Sequence, residues 1–232
     1  MNANRLPPDS RPVRRSQSER RTGTRDAIYA AATQCLIESG LGGFKTARVA
    51  KLAGVSEGSV FHYFNTKPEL LAATMERVFA DLRETYERSF AELDPATING
   101  EALVLELWNL MGDDRMMALM ELMTTARTDP QLRAALKPVI ARHRTTMHAR
   151  VRRLLSDTPI SQSPLLGGAV DALIHATQGL RMHDQVVGNP AHVKVMQDFV
   201  ALLIDQLLGL GGQPAAKASP SKSPVNRSIA AS

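Results

Sequence analysis

Residues 46–64 read TARVAKLAGVSEGSVFHYF, and this stretch decides the fold of the chain. Ala50 is small and lies within a short predicted helix, where a second helix can approach closely. Gly54 follows and can take the positive φ that a sharp turn needs. Ser56 suits the N-cap of the second helix, and Val60 falls on that helix's inward face. A small residue, a glycine and an aliphatic residue at this spacing indicate a helix-turn-helix, whose second helix can enter the DNA major groove.

Helix signals dominate the sequence on both sides of this stretch. Val49, Leu52 and Val55 are predicted to complete a small apolar seam between the two short helices. No run of alternating β-branched residues occurs, and aromatic residues make up only 4% of the chain. N-caps and terminal glycines predict an all-α chain of about nine helices. The predicted helices lie near 21–39, 46–53, 57–64, 67–92, 99–111, 114–127, 130–155, 164–187 and 190–209.

The composition of the chain limits the class of protein to which it can belong. The chain has 232 residues, of which 44% are hydrophobic and 22% charged, as in a globular protein with a substantial core. No apolar run approaches the roughly 18 residues that span a bilayer, and no signal peptide is recognisable. Cys35 is the single cysteine, so the sequence favours a reducing cytoplasm and no membrane partner.

The positive charge is concentrated at the N-terminus. The first 66 residues hold ten Lys and Arg against five Asp and Glu, which accounts for the whole net charge of +5. This distribution favours a polyanion as partner, most often a nucleic acid. A solvated basic tail is the alternative for residues 1–25. The arginines of that segment are Arg5, Arg11, Arg14, Arg15, Arg20, Arg21 and Arg25.

From Arg25 to Leu71 the chain resembles the DNA-binding domain of TetR-type transcriptional regulators. The matching residues and segments are Ile28, Ala31, Ala32, Leu36, the link GLGGF ending at Phe44, Thr46, Val49, Ala50, AGVS at 53–56, GSVFHYF at 58–64 and KPELL at 67–71. The resemblance implies that residues 57–64 form the recognition helix. It implies DNA contacts by Thr46, Arg48, Ser56, Glu57, Gly58, Ser59, His62, Tyr63 and Lys67.

The chemical groups of these side chains agree with the implied roles in DNA binding. Hydroxyl, imidazole and ammonium groups can donate to phosphate oxygens, and Lys67 lies at a helix start that itself favours phosphate. Two positions depart from the family pattern. Glu57 stands where a neutral or basic residue is common, and it can accept from cytosine N4. Phe61 replaces a common tyrosine and so lacks a phosphate-directed hydroxyl.

The remainder of the chain carries no recognisable catalytic or metal-binding pattern. HExxH, Glu-x-x-His and a Gly-rich phosphate loop are all absent from the sequence, so we expect no metal and no cofactor. Methionines recur at helical spacing between residues 111 and 123, which predicts either core packing or an adaptable apolar pocket wall. The predicted pocket residues are Trp108, Met111, Met120, Met123, Met147, His175 and Gln178.

The last two predicted helices, 164–187 and 190–209, carry a wider apolar stripe than one packed face needs. The resemblance implies that they pair with those of a second copy in a four-helix dimer interface. A dimer is also what a helix-turn-helix needs to bind a palindromic site.

The sequence therefore predicts four segments. These are a disordered basic arm (1–20), a helix-turn-helix domain (21–66), a helical ligand-binding and dimerisation domain (67–210) and a disordered tail (211–232). The predicted function is a homodimeric transcriptional regulator, a repressor released from a palindromic operator by a small, largely apolar effector. The alternatives are a non-specific architectural DNA-binding protein and an all-α enzyme that converts a ligand. Within the regulator interpretation, an activator and a ligand-free regulator also stay open.

Overall fold

A computed structural model of the chain describes residues 16–91, 99–156 and 158–208. The described residues form nine α-helices and one short 3₁₀ turn, with no strand among them. The N-terminal helices are α1 (Gln17–Ser39), α2 (Thr46–Ala53) and α3 (Glu57–Tyr63). The body contains α4 (Lys67–Ala91), α5 (Gly100–Met111), α6 (Asp114–Thr125), α7 (Pro130–Leu154), the 3₁₀ turn (Pro159–Gln162), α8 (Leu166–Val187) and α9 (Pro190–Leu208). The predicted all-α architecture is confirmed.

Two helices begin two or more residues from their predicted starts. α1 begins at Gln17 rather than 21, because Ser16 and Glu19 form a reciprocal capping box. α8 begins at Leu166 rather than 164. The Ser163 hydroxyl accepts from the amide of Leu165, 3.2 Å away, so it caps a tight turn and not the helix. Residues 1–15 of the predicted arm (1–20) and the tail at 211–232 lie outside the described residues, whereas residues 17–20 of that arm form the first turn of α1 rather than a disordered segment.

Other helix ends follow the sequence signals closely. The carboxylate of Asp129 accepts from the amides of Gln131 and Leu132, and Asn189 caps α9 through the amide of His192. The Thr66 hydroxyl caps α4 by accepting from the amide of Glu69, and the Glu69 carboxylate accepts from the backbone and side-chain nitrogens of Asn65.

Two separate apolar cores form within this bundle. The larger core runs without interruption from α1, α2 and α3 through α4 into α6 and α7. The smaller core joins α5 to α9 through Val104, Ala201 and Ile204. These two helices come so close that a Cβ on Gly100 would lie 2.0 Å from the carbonyl oxygen of Ala201, so this position requires glycine. The body therefore has two packed halves, and the space between them is available for a cavity.

Candidate DNA-binding surface and ligand cavity

The turn between α2 and α3 has the geometry that the sequence predicts. Gly54 takes the left-handed conformation at φ 67°, and the Ser56 hydroxyl caps α3 by accepting from the amide of Ser59 at 3.1 Å. Val49 and Val60 are fully buried between the helices. Leu52 is 43% exposed and does not belong to the predicted seam. Val49, Ala50 and Val60 are buried and already fill the contact between the two helices.

Glu57 and Thr46 fasten the starts of α2 and α3 to each other. The Thr46 hydroxyl donates to one carboxylate oxygen of Glu57 over 2.6 Å. The contact fixes Glu57 at the first residue of the recognition helix and leaves its second carboxylate oxygen for another partner. The sequence did not predict that these two residues would meet.

Two cations with predicted DNA roles have partners within the protein. The Arg48 guanidinium forms an ion pair with Glu38 on α1, with an N–O distance of 2.5 Å. The Lys67 ammonium donates to the carbonyl oxygen of Phe44 at 3.0 Å and lies 5.3 Å from the centre of the Phe44 ring. A phosphate would have to replace or share these contacts.

The outer face of α3 is open to solvent. Glu57, Gly58 and His62 are exposed, while Ser59 and Tyr63 are half-buried. Phe61 is 44% exposed. Its ring therefore presents an apolar surface to solvent on α3, where the family commonly has a tyrosine. An exposed phenyl ring can contact a thymine methyl group in the major groove.

Arginines at the start of α1 lie beside the recognition helix. The Arg21 guanidinium is 6.0 Å from the centre of the Tyr63 ring, within cation–π range. Arg25 donates to the hydroxyl of Tyr29 over 2.9 Å. Among the described arginines of the N-terminus, Arg21 thus adjoins the end of α3.

A cavity of about 700 Å³ lies between the two cores of the body. Its wall is almost entirely apolar, with side chains from α4, α5, α7, α8, α9 and the 3₁₀ turn. Polar lining groups are few: Tyr86 and Glu87 on α4, and Arg150 and Arg153 on α7. Arg150 and Glu87 form an ion pair with a distance of 2.6 Å. The volume and the apolar wall are typical of small-molecule sites.

Of the seven predicted pocket residues, Met147 alone lines this cavity. Met111 and Met120 are buried in packed regions at 3% and 4% exposure, and Met123 packs against the larger core. His175 is exposed and Gln178 half-buried, and neither side chain belongs to the lining. Trp108 lines a small adjoining groove, with the Arg181 guanidinium 4.2 Å from its ring centre. Met116 and Met123 of α6 belong to or pack against the larger core, in which α6 packs on α1.

Tyr86, like Glu87, Arg150 and Arg153, is a polar lining residue that sequence reasoning missed. The buried stripe of α4 continues through Met75, Phe79, Leu82 and Tyr86, so a hydroxyl stands where the pattern calls for an apolar residue. The Tyr86 hydroxyl has no hydrogen-bond partner among the described residues.

Comparisons with known proteins bear on both regions. The family model of bacterial regulatory proteins of the tetR family matches residues 28–74, which span α2 and α3. The HTH-type transcriptional regulator CymR of Pseudomonas putida is 35% identical over 133 residues, 57% of this chain and 66% of that protein. The uncharacterized HTH-type transcriptional regulator Mb2936c of Mycobacterium bovis is 31% identical over 140 residues, 60% of this chain and 72% of the relative. This chain belongs to the TetR family.

Solved structures share the fold of this TetR-family chain. A transcriptional regulator from Rhodococcus sp. Rha1 superposes with a TM-score of 0.59 at 22% identity, covering 78% of this chain and 96% of that one. The multidrug binding protein EbrR, complexed with imidazole, gives 0.58 at 21% identity and covers 84% and 98%. The TetR-family chain is thus a DNA-binding transcriptional regulator and is grouped with regulators rather than with enzymes.

Neither a metal cluster nor a membrane span occurs in the part of the chain that the structure describes. No group of three or more His, Cys, Asp or Glu side chains stands close enough to hold a metal ion there. Within the same ranges, no helix has both the length and the apolar character to cross a membrane.

Proposed function

We propose that this regulator is a homodimeric cytoplasmic repressor, released from a palindromic operator by a small, largely apolar effector. One observation carries the proposal: α4 is a single helix that connects the DNA-binding domain to the cavity. Its first residue, Lys67, holds the link before α2, and Tyr86 and Glu87 near its other end line the cavity. A ligand that moves the far end of α4 would also move the α3 helix.

Two further contacts join the body to the N-terminal helices. Glu121 on α6 accepts from the backbone amide of Leu41 over 2.8 Å, just beyond the end of α1. Arg77 on α4 forms an ion pair with Asp26 on α1 at 2.9 Å. Together with the continuous core, these contacts make α1, α4 and α6 a unit that can transmit a displacement.

The effector's action follows from linkage. An effector releases the operator only if it binds the DNA-incompetent arrangement more tightly than the competent one. EbrR, which shares the fold, is a multidrug binding protein, and that supports a small-molecule role for the cavity.

The proposed dimer interface is the outer face of α8 and α9. Many large apolar side chains are exposed on these two helices, more than is usual for a monomer. They are Met182, Val186, Val187, Val195, Met196, Phe199 and Leu202. A second copy of the chain would cover these side chains and place two recognition helices for two half-sites.

The proposed DNA contacts are the residues that the family resemblance implies. Thr46, Arg48 and Lys67 would bind the phosphate backbone, and the exposed face of α3 would read the bases. The residues of α3 and its cap are Ser56, Glu57, Gly58, Ser59, His62 and Tyr63. Exposure of α3 and the adjoining arginines support this orientation.

The decisive experiment is selection of bound duplexes from a randomised DNA pool at about 150 mM salt, where counterion-driven binding is weakened. The proposal expects a palindrome with half-sites about one helical turn or a multiple apart. A single unpaired half-site would contradict the homodimer.

An architectural DNA-binding protein is the second candidate, favoured by the concentration of positive charge in the first 66 residues. It predicts no enriched sequence and a uniform loss of binding as salt rises. The same selection, repeated at several salt concentrations, therefore separates the two candidates.

A further inference from the structure

The charged side chains that line the cavity do not neutralise each other. Among the described lining residues, Glu87 on α4 is the single acid, whereas Arg150 and Arg153 on α7 are both basic. The Glu87 carboxylate is paired with Arg150 at 2.6 Å. The Arg153 guanidinium forms no hydrogen bond or ion pair with the described residues. The described lining therefore carries one positive charge in excess.

The two arginines are neighbours on one face of α7. Arg150 and Arg153 lie three residues apart, a spacing that brings side chains together on a helix surface. Arg153 lines the cavity and is also exposed to solvent, which places it at the mouth. Two guanidinium groups on one face repel each other, and an anion bound between them would remove that repulsion.

The buried His143, one turn before the lining residue Met147 on α7, is subject to the same positive field. Burial lowers the pKa of His143, and the positive charges of Arg83 on α4 and Arg150 on α7 lower it further. The field of these arginines thus extends beyond the mouth along the contact between α4 and α7.

The rest of the wall suits an apolar body. Apart from Tyr86 and the three charged residues, the described lining side chains are all apolar. An alkyl or similar body gains free energy for each methylene group that it buries there. A charged head group at the exposed Arg153 remains close to solvent and so avoids most of the cost of burying a charge. A guanidinium also matches a carboxylate in geometry, since it can donate two parallel hydrogen bonds.

We propose that the cavity binds an amphipathic anion, with its apolar body inside and its carboxylate at the mouth between Arg153 and Arg150. The inference rests on the proposed function and names the chemical class of its effector. The head group competes with Glu87 for Arg150, and that competition loosens an ion pair that ties α4 to α7. Because α4 begins at the DNA-binding domain, the anionic group acts on the helix that transmits the signal.

The test uses the full chain with N-phenyl-1-naphthylamine, an uncharged dye that fluoresces in apolar surroundings. Decanoate, 1-decanol and decylammonium then compete with the dye; they share one alkyl chain and differ in the charge of the head group. We expect decanoate to bind most tightly and decylammonium most weakly. The preference for decanoate should shrink as the salt concentration rises, because the head group stays near solvent.

Arg153→Gln should weaken decanoate binding about fivefold, the upper end for one exposed ion pair, and leave 1-decanol binding within about twofold. Arg152→Gln is the matched control. Arg152 is an exposed arginine on the same helix but is not among the described lining residues. Its loss removes the same charge from the chain and should change decanoate binding by no more than about twofold.

Glu87→Gln tests the competition for Arg150. The variant should bind decanoate about threefold more tightly, because the head group no longer has to displace a carboxylate, and 1-decanol binding should stay within about twofold. An unchanged or weaker affinity for decanoate in Glu87→Gln would remove the competition from the proposal.

Other results would overturn the proposal as a whole. Decanoate binding no tighter than 1-decanol removes the anionic class, and equal losses in Arg153→Gln and Arg152→Gln remove the site at the mouth. Ala169→Trp, which fills the cavity, should abolish dye binding. If fluorescence persists in that variant, or never rises in the wild type, the cavity is not the binding site.

Failure of this inference is distinguishable from failure of the proposed regulator. Selection of a palindromic operator is measured without any ligand, so a chain that selects an operator but shows no preference for decanoate loses only the effector class. Arg153→Gln should unfold at the Tm of the wild type, because the Arg153 side chain is exposed and contributes no hydrogen bond among the described residues. An unchanged Tm shows that a lost affinity reflects binding and not misfolding.

Discussion

Glu57 is an acidic residue at the start of a helix proposed to approach a polyanion. Its contact with Thr46 uses one carboxylate oxygen and restricts rotation of the group. This arrangement suits acceptance of a hydrogen bond from cytosine N4, the base-edge donor that carboxylates recognise. Glu57 then increases the preference for particular sequences, while its negative charge lowers the general affinity for the phosphate backbone.

Glu57→Gln should therefore change which operator is selected. An amide can donate and accept, so cytosine should be lost at the base pair facing position 57 and adenine gained, by about 1–3 kcal/mol of discrimination. Repeating the DNA selection with this variant measures the change. An unaltered motif would show that Glu57 only fastens α2 to α3, and Thr46→Val is the control for that fastening.

His143 makes the free energy of unfolding of the helical body depend on pH. Its ring stacks on Phe79 with centroids 3.7 Å apart and planes within 10° of parallel. Burial lowers the pKa of His143 to about 4, and the positive charges of Arg83 and Arg150 act in the same direction. The folded protein holds the imidazole neutral at pH values where the unfolded chain would protonate it.

The contribution of His143 to the free energy of unfolding is complete above pH 6.5, the ordinary histidine pKa, and declines as the pH falls toward 4. We expect a decline of about 2 kcal/mol, reduced from the full shift because the ring is only partly buried. Urea unfolding of the wild type and His143→Phe across this range isolates the effect. A difference between the two proteins that stays constant with pH would refute it.

At the scale of elements, Gly54 and Gly58 of the helix-turn-helix differ in what requires a glycine. Gly54 has a backbone conformation that other residues rarely adopt, whereas Gly58 has ordinary helical backbone. Gly54 takes φ 67° with nothing within 4 Å of an added Cβ, so its substitution costs backbone strain alone. Gly58 lies within α3 and has space for a methyl group, since the nearest atom is the Ser56 hydroxyl oxygen at 3.9 Å. Glycine there lowers helix stability, which indicates a need for close approach.

Gly54→Ala should lower the free energy of unfolding by about 1 kcal/mol, and Gly58→Ala should raise it by a similar amount. DNA affinity should nevertheless fall in Gly58→Ala, because the methyl group stands between the backbone and the groove. Denaturant unfolding and DNA titration of both variants provide the comparison. Undiminished DNA affinity in Gly58→Ala would mean that α3 does not present this face to DNA.

Sequence patterns predicted the elements better than their contacts. Capping residues and positive-φ glycines are local signals, so most helix ends were predicted to within two residues. The start of α1 was displaced because the capping box at Ser16 lies in a polar, arginine-rich stretch without an apolar stripe. Local signals cannot show which helix packs on which, and for that reason Met123 of α6 was predicted for the pocket although it packs against the larger core.

The two parts of the candidate site, the helix-turn-helix and the cavity, also differ in how much of each the sequence predicts. The helix-turn-helix is compact in sequence, so its seam and turn could be predicted from the spacing of Ala50, Gly54 and Val60. The cavity assembles residues from six separate elements and leaves no contiguous pattern. Met147 was included by periodicity, whereas Tyr86 was missed because its meaning depends on the absence of partners around it.

At the scale of the whole molecule, the exposed face of α8 and α9 predicts the assembly state. Phe199 and Leu202 lie one helical turn apart and are 55% and 56% exposed. The double variant Phe199→Glu/Leu202→Glu should be monomeric in sedimentation equilibrium, because two charges would have to be buried in the interface.

The same variant should bind the selected palindrome at least on the order of 100-fold more weakly, since both half-sites can no longer be engaged by one assembly. Leu105→Glu is the matched control, an equally exposed leucine on α5 (54%) outside this face. A double variant that remains dimeric would locate the interface elsewhere.

The single tryptophan of the chain has an unusual environment, with the Arg181 guanidinium over the indole face at the junction of α5 and α8. All indole emission therefore originates at one known point, between the cavity and the apolar outer face. A cation so close to the ring makes that emission sensitive to small movements of α8. The protein thus carries an intrinsic optical reporter of its own conformational change, which can be recorded without attaching any label.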